Sequence, residues 1–179
     1  MGYFSDLDNL PGAVFSDDRQ YRYFLQRKVA QGSMESKGTC VFCLLNGSKA
    51  NETENDPTVT GLYNYAHSWG YGLFLLVNIF GLAATNPREL YRTPDPVGSD
   101  NDWWLDFAAA HADLLICGWG NHGEFQNRGR IVADRFIRNG KTLYCLEGPD
   151  GGPLLTKQGQ PRHTLYLKAC RTPQLYRAS

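Results

Sequence analysis

Four short, continuous apolar runs do most to limit what this 179-residue chain can fold into. They are T-C-V-F-C-L-L-N from Thr39 to Asn46, G-L-F-L-L-V-N from Gly72 to Asn78, L-L-I-C-G-W from Leu114 to Trp119, and T-L-Y-C-L from Thr142 to Leu146. None alternates polar with apolar residues, so each predicts a strand covered on both faces rather than one facing water. Helical signals fill the gaps. Asp56-Pro57-Thr58 offers a cap and a first-turn proline, Asp100 or Asn101 can cap D-W-W-L-D-F-A-A-A-H-A, and Phe125 to Arg138 runs into the stop Asn139-Gly140. Strand and helix in alternation predict a three-layer α/β/α sandwich around a central, mainly parallel four-stranded sheet.

Before the first run, Gly12 to Val29 reads as a hairpin turning at Asp17-Asp18 and adding to a sheet edge. With no repeat, linker or low-complexity tract, the expectation is one domain over 1–179. Residues 1–38 form its hairpin extension and 39–170 its core.

Charge and cysteine usage narrow the classes further. Eighteen Lys and Arg balance 18 Asp and Glu, which argues against coating nucleic acid by bulk charge but leaves room for a local basic face. The N-terminus M-G-Y-F-S-D has no basic-then-apolar pattern, and the longest apolar stretch, around Gly72 to Ala84, is too short to span a bilayer. Five cysteines, mostly inside apolar runs, read as reduced thiols of a cytoplasmic protein, expected to be monomeric and without membrane contact. Cys40 and Cys43 form C-x-x-C, but side chains three apart on a strand point to opposite faces, and no second pair exists. No metal or cofactor is therefore expected. His67, His111 and His122 with Asp113 make a weak zinc set, and His111 reads as structural.

In parallel α/β sheets, ligands bind outside the carboxyl ends of the strands. Here those ends carry Asn46-Gly47-Ser48, Asn78, Gly118-Trp119-Gly120-Asn121-His122, and a Gly/Pro-rich loop, 147–152, that leads to His163. Asn78 ends a strongly apolar strand. Its amide either bonds neighbouring backbone or offers a donor and an acceptor to the Watson–Crick edge of a pyrimidine. Taken alone, Asn46 is a loop amide tying down its own turn, and His163, after Gln160-Pro161-Arg162, is a surface imidazole.

The order of these strand ends resembles the uracil-DNA glycosylase superfamily. C-L-L-N-G-S is similar to the motif that mismatch-type members carry as G-I-N-P-G and uracil-specific members as G-Q-D-P-Y. The stretch P-T-V-T-G-L-Y-N-Y-A-H-S-W-G-Y-G-L-F-L-L-V-N-I-F resembles the one running through a helix into L-L-L-N. L-L-I-C-G-W-G-N-H-G resembles L-L-W-G-A-H-A, and H-T-L-Y, from His163 to Tyr166, stands where the superfamily has H-P-S-P. Gly47 and Thr164 replace prolines of those patterns, loosening two turns. The chain also resembles a prokaryotic and phage family with L-N-P-S-T-A, D-D-P-T, W-G-Y and D-P-V-G-x-D-N-D motifs, read here as L-N-G-S-K-A, N-D-P-T, W-G-Y and D-P-V-G-S-D-N-D.

The resemblance implies a uracil-DNA glycosylase-like fold and a monofunctional DNA glycosylase, a hydrolase that flips a base out of DNA and excises it to leave an abasic site. Asn46 would hold the attacking water, with Asp56 as the alternative activator, and His163 would donate a hydrogen bond to the departing base. Gly47, Ser48 and Asn78 would form the base pocket. Ser48 stands where uracil-specific members close the pocket with Tyr, so a 5-substituted or hypermodified pyrimidine is the implied substrate, with antiphage defence as a context. Lys49, Arg128, Arg130, Arg162, Lys168 and Arg171 are candidates for gripping DNA, and Leu165 or Tyr166 for a wedge into the stack. Two other readings stand beside this one. One is a non-catalytic module that binds modified DNA or nucleotides, and the other a hydrolase or transferase of free nucleosides.

Overall fold

The structure, a computed structural model, describes residues 7–30, 35–48, 50–164 and 171–178. Lys49, Leu165, Tyr166, Lys168 and Cys170 lie outside these. In chain order the elements are β1 (Ala13–Phe15), β2 (Arg22–Lys28), β3 (Thr39–Gly47), α1 (Pro57–Trp69), β4 (Leu73–Ala83), α2 (Asn101–Ala110), β5 (Leu114–Gly118), α3 (Arg128–Arg138), β6 (Tyr144–Leu146) and β7 (Pro173–Leu175). A 3-10 segment covers Pro87–Tyr91, and 3-10 turns interrupted by a kink at Phe125 and Gln126 cover Asn121–Asn127.

The fold is α/β, but its sheet is larger than the four strands expected and is mixed: seven strands in the order β1-β2-β4-β3-β5-β6-β7. The four anticipated runs lie side by side as a parallel block, β4-β3-β5-β6. Antiparallel strands flank it on both sides. One flank is the N-terminal hairpin, whose second strand pairs with β4. The other is β7, three residues opening on a proline, a stretch too short and too polar to signal a strand.

Period-two alternation sorts the strand residues to two faces. Val41, Cys43, Leu75 and Val77 pack with Leu105 and Ala108 of α2 and Val132 and Phe136 of α3. Cys40, Phe42, Phe74 and Leu76 pack with Val59, Leu62 and Ala66 of α1. Cys40 and Cys43 thus sit in opposite cores and cannot share a metal. Burial raises both thiol pKa values, which leaves them unreactive. Trp104 is buried and packs against Phe24 of β2, whereas Trp103 is exposed. His111 closes α2, its ring nitrogen bonded to the Phe107 carbonyl.

The helix ends follow local chemistry. The Asp56 side chain accepts from the Val59 N–H to cap α1, and Gly70 ends that helix at φ 87°. The third helix begins at Arg128 rather than Phe125, because Gln126 and Asn127 both take positive φ and break the path. No helix among the described residues is long and apolar enough to cross a membrane.

Two glycines report on packing in opposite senses. The Gly81 N–H donates to the Val97 carbonyl at 3.0 Å, and a Cβ on Gly81 would come 2.6 Å from that oxygen. Gly81→Ala is expected to lower unfolding free energy by about 1–3 kcal/mol. Gly61, inside α1, has nothing within 4 Å of a built Cβ, so Gly61→Ala is expected to raise it by about 0.5–1 kcal/mol. Urea unfolding of both variants measures the two shifts.

Candidate functional site

A cleft of about 570 Å³ opens at the carboxyl ends of β3, β4 and β5. Asn46, Gly47, Ser48, Asp56, Asn78 and His163 all line it, so residues spread over more than a hundred positions meet around one cleft. Arg22, Trp119 and His122 line it too.

Asn78 owes its place to a clamp behind it. The D-P-V-G-S-D-N-D segment folds back on the end of β4. Asp95 accepts from the Val97 and Gly98 N–H groups at 3.1 Å, and the Asn101 side chain donates to the carbonyls of Asn78 (3.0 Å) and Ile79 (3.2 Å). Arg128 donates through Nε to Ile79 at 2.7 Å and is held by Asp102. The backbone around Asn78 is therefore fully used. Its side chain is 1% exposed, and neither Oδ1 nor Nδ2 has a hydrogen-bond partner among the described residues. A polar group in that state costs about 1–3 kcal/mol relative to one that is satisfied.

Asn46 lies on the same face of the sheet, two residues after Leu44. Its Nδ2 donates to the Gly47 carbonyl at 2.9 Å and to the Ala84 carbonyl. Those two bonds fix the amide's orientation and leave Oδ1 as the group they do not use. The backbone-tying role thus holds, and it is compatible with presenting an acceptor. Beyond Asn46 the register jumps from Phe80 to Ala83, and Gly47 passes close enough that a Cβ there would lie 3.2 Å from Ala83 Cα. Both oxygens of Asp56 are engaged, one by the Val59 N–H at 2.8 Å and the other by the Ser48 hydroxyl.

His163 arrives on a loop docked against the end of β5. The Gly120 N–H donates to the Pro161 carbonyl at 2.8 Å, and the Trp119 indole N–H donates to Gln160 at 2.8 Å. Gly118 lets this loop approach, since a Cβ there would meet Leu44 at 2.9 Å and the Arg162 carbonyl at 3.4 Å. Burial lowers the imidazole pKa below its usual 6.5, and the Asp56 charge opposes this in part. The ring is neutral at physiological pH.

Among the residues expected to grip DNA, Arg162 is exposed beside His163, whereas Arg128 is not on the surface. It is buried and spent on Asp102 and Ile79, because the helix it opens packs flat against α2 and β4. Arg130 pairs with Asp134 at 3.0 Å, and Arg171 donates to the Glu147 carbonyl. Lys49, Leu165, Tyr166 and Lys168 fall outside the described residues. No cluster of three metal-binding side chains forms among the described residues.

His122, named at the end of the third run and weighed as a weak zinc ligand, bonds the Tyr91 hydroxyl at 2.8 Å, and Tyr91 stands 50% exposed. One charged cavity residue escaped the sequence reading. Arg22 is 1% exposed and also lines the cleft. In R-Y-F-L-Q-R-K, strict alternation sets Arg22 on the Phe24 face. Instead β1 and β2 slip register, with Val14 opposite Phe24 and Phe15 opposite Arg22, so Tyr23 is an extra residue. Tyr23 and Phe24 both enter the α2/α3 core, and the bulge turns Arg22 to the other face.

Residues 22–165 match the family described as "Protein of unknown function (DUF1643)". The chain belongs to this family. The matched segment runs from Arg22 on β2 past His163 and so includes every described residue of the candidate site. No curated protein and no solved structure matches the chain significantly.

If the Asn78 amide is kept for a ligand rather than for the fold, a shape-matched apolar replacement relieves its cost. Asn78→Leu is expected to stabilise the protein by about 1–3 kcal/mol in urea unfolding while removing ligand binding. A loss of stability of that size would show instead that the amide serves the fold.

Proposed function

We propose that this protein is a DNA glycosylase that hydrolyses the N-glycosidic bond of a flipped-out, 5-substituted pyrimidine. The observation that carries the reading is the Asn78 amide, buried, unpartnered among the described residues, and lining the same cleft as Asn46 and His163. One donor and one acceptor on a rigid strand suit the donor–acceptor edge of a pyrimidine. The motif order from Asn46 to His163, and a parallel block in which the first of these runs lies between the second and third, support the likeness to the uracil-DNA glycosylase superfamily.

In this mechanism the C1′–N1 bond breaks with its electron pair moving to the base. Positive charge grows on the sugar and negative charge on the pyrimidine oxygens. The neutral His163 donates a hydrogen bond to the base oxygen and so stabilises the departing anion without giving up its proton. Asn46 Oδ1 accepts from the water whose oxygen bonds to C1′. The water's proton leaves to solvent or to the departing base. Asp56, with both oxygens bonded, acts through its charge, which offsets the sugar cation, rather than as a free base. Ser48 leaves room beside the ring where a larger side chain would exclude a substituent. Defence against phage DNA built with such bases is the biological setting this substrate class suggests.

The test is excision from duplexes that each carry one defined pyrimidine (uracil, thymine, 5-hydroxymethylcytosine or its glucosylated form), read as alkali-labile strand scission. Scission at a substituted base is expected, falling about 10²–10³-fold in His163→Ala and also in Asn46→Ala. DNA binding without abasic sites would replace this reading with a binding module, and activity on nucleosides alone with a nucleoside hydrolase.

The pH dependence has a definite sign. Since His163 acts neutral and burial lowers its pKa, the rate is expected to hold as pH falls through 6.5 and to drop only below the depressed value. The same shift removes folding stability as pH falls from 6.5 toward that value, because the unfolded chain takes up the proton first. A rate profile between pH 8 and 4, compared with His163→Gln, checks this; an acid limb centred above 6.5 would contradict it.

A further inference from the structure

We infer that Arg22 is the specificity-determining cation of the cleft, and that the pyrimidine it selects carries an anionic oxygen group, a carboxylate or phosphate ester, at C5. This rests on the pyrimidine-excising reading and narrows its substrate.

Arg22 is 1% exposed, yet no carboxylate lies within ion-pair distance of it among the described residues. Its Nη1 reaches the Ala50 carbonyl at 3.2 Å and the Ser48 hydroxyl at 3.5 Å. Nε has no partner, and no hydrogen bond from Nη2 occurs among the described residues. The bare side is thus the Nε–Nη2 edge, the two-pronged edge that grips a carboxylate or phosphate through two parallel bonds. Burial draws the guanidinium pKa down to about 10, so the group is still a cation at neutral pH. Asp56 acts on it only through space and through Ser48.

A desolvated cation with half its donors idle is costly unless something supplies the missing acceptors. Of the two buried arginines among the described residues, Arg128 is joined to Asp102, whereas Arg22 has no such carboxylate. The extra residue in β2 is what turns it toward the cleft.

Depth and ring chemistry place the acceptor on the base. A phosphodiester stays at the mouth of a base pocket, whereas Arg22 is almost wholly enclosed. On a flipped pyrimidine, N1 bears the sugar, and the edge through N3 and the 4-position is taken by Asn78. C6 adjoins the glycosidic bond, which leaves C5 to carry a group toward Arg22. Ser48, bonded between Asp56 and Arg22, is too small to block that path.

The experiment is calorimetric titration of the full chain with 5-carboxy-2′-deoxyuridine and with thymidine, which differ only in a carboxylate against a methyl at C5. The carboxylate is expected to bind at least tenfold tighter. Arg22→Met should abolish that preference. Arg22→Lys, which keeps a cation but loses the fork, should retain only part of it and guards against a folding defect in the first variant. Equal or tighter thymidine binding, binding of neither nucleoside, or a preference that survives Arg22→Met in a folded protein would overturn the assignment. Strand scission on duplexes holding the same two bases separates this from the parent reading. Nucleoside preference without abasic sites leaves Arg22 assigned and removes the glycosylase. Abasic sites formed equally at both bases, with no nucleoside preference, do the reverse.

Discussion

The parallel pairing of β3 with β4 is the contact on which the site depends. From Thr39 opposite Leu73 to Leu44 opposite Asn78 the register is unbroken, and period-two alternation then sets Asn46 and Asn78 on the α1 face together. Past Asn46 the partner skips from Phe80 to Ala83 and the ladder distorts. That distortion is where the cleft begins. Two adjacent central strands buried on both faces have no water to satisfy polar side chains, so an amide on either must find protein, find ligand, or remain bare. Asn46 finds protein with its Nδ2. The Asn78 side chain finds none among the described residues, while Asn101 and Arg128 bond the backbone carbonyls of Asn78 and Ile79.

What could be read from the chain was whatever depends on local sequence. The four core strands are continuous apolar runs, the α1 cap is Asp-Pro, the hairpin turns at Asp17-Asp18, and the C-x-x-C cysteines part to opposite cores simply because strands alternate. Where tertiary packing decides, the signal disappears. β7 is a three-residue polar segment made into a strand only by β6 beside it. Arg128 looks like any helix-surface arginine until α3 is packed against α2 and β4, and then it is a structural clamp. Arg22 is the sharpest case. Its direction is set by one inserted residue relative to a partner strand, and nothing in R-Y-F-L-Q-R-K reveals a bulge that exists only in pairing. Asn78 was legible as the polar end of an apolar run, but β4 continues past it to Ala83, which makes it a mid-strand residue, and whether its amide would be spent on backbone turned on a segment more than twenty residues downstream.

The pattern of unspent polar atoms separates site from scaffold. Among the described residues the bare buried atoms belong to Arg22, Asn78, Asn101 and Arg171. Asn101 has already used its amide nitrogen twice, and it stands outside the cleft, so its idle oxygen is the residue of a structural role. Arg171 likewise donates to the Glu147 carbonyl and stands outside the cleft. Arg22 and Asn78 differ from these in lining the void, and their idle atoms, on a two-pronged cation and a donor–acceptor amide, suit directional recognition. Each omission costs roughly 1–3 kcal/mol, and a fold of this size has only about 5–15 kcal/mol in all. Two such costs facing one cavity are hard to sustain for the sake of folding alone.

The charge balance points the same way. Acids and bases are equal in number, and Arg19, Arg128, Arg130 and Arg135 are each committed to a carboxylate. A protein that recognises its ligand chiefly by attraction to a phosphate backbone leaves such cations free on one face. Here one cation without a carboxylate partner among the described residues, Arg22, is inside, lining the same cleft as the Asn78 amide. On the proposed reading, discrimination is therefore concentrated in the cleft. On the proposed reading the antiparallel hairpin added to β4 is part of the binding machinery as much as an edge to the sheet, because β2 and its bulge bring the cation Arg22 to a cleft that Asp56 also lines.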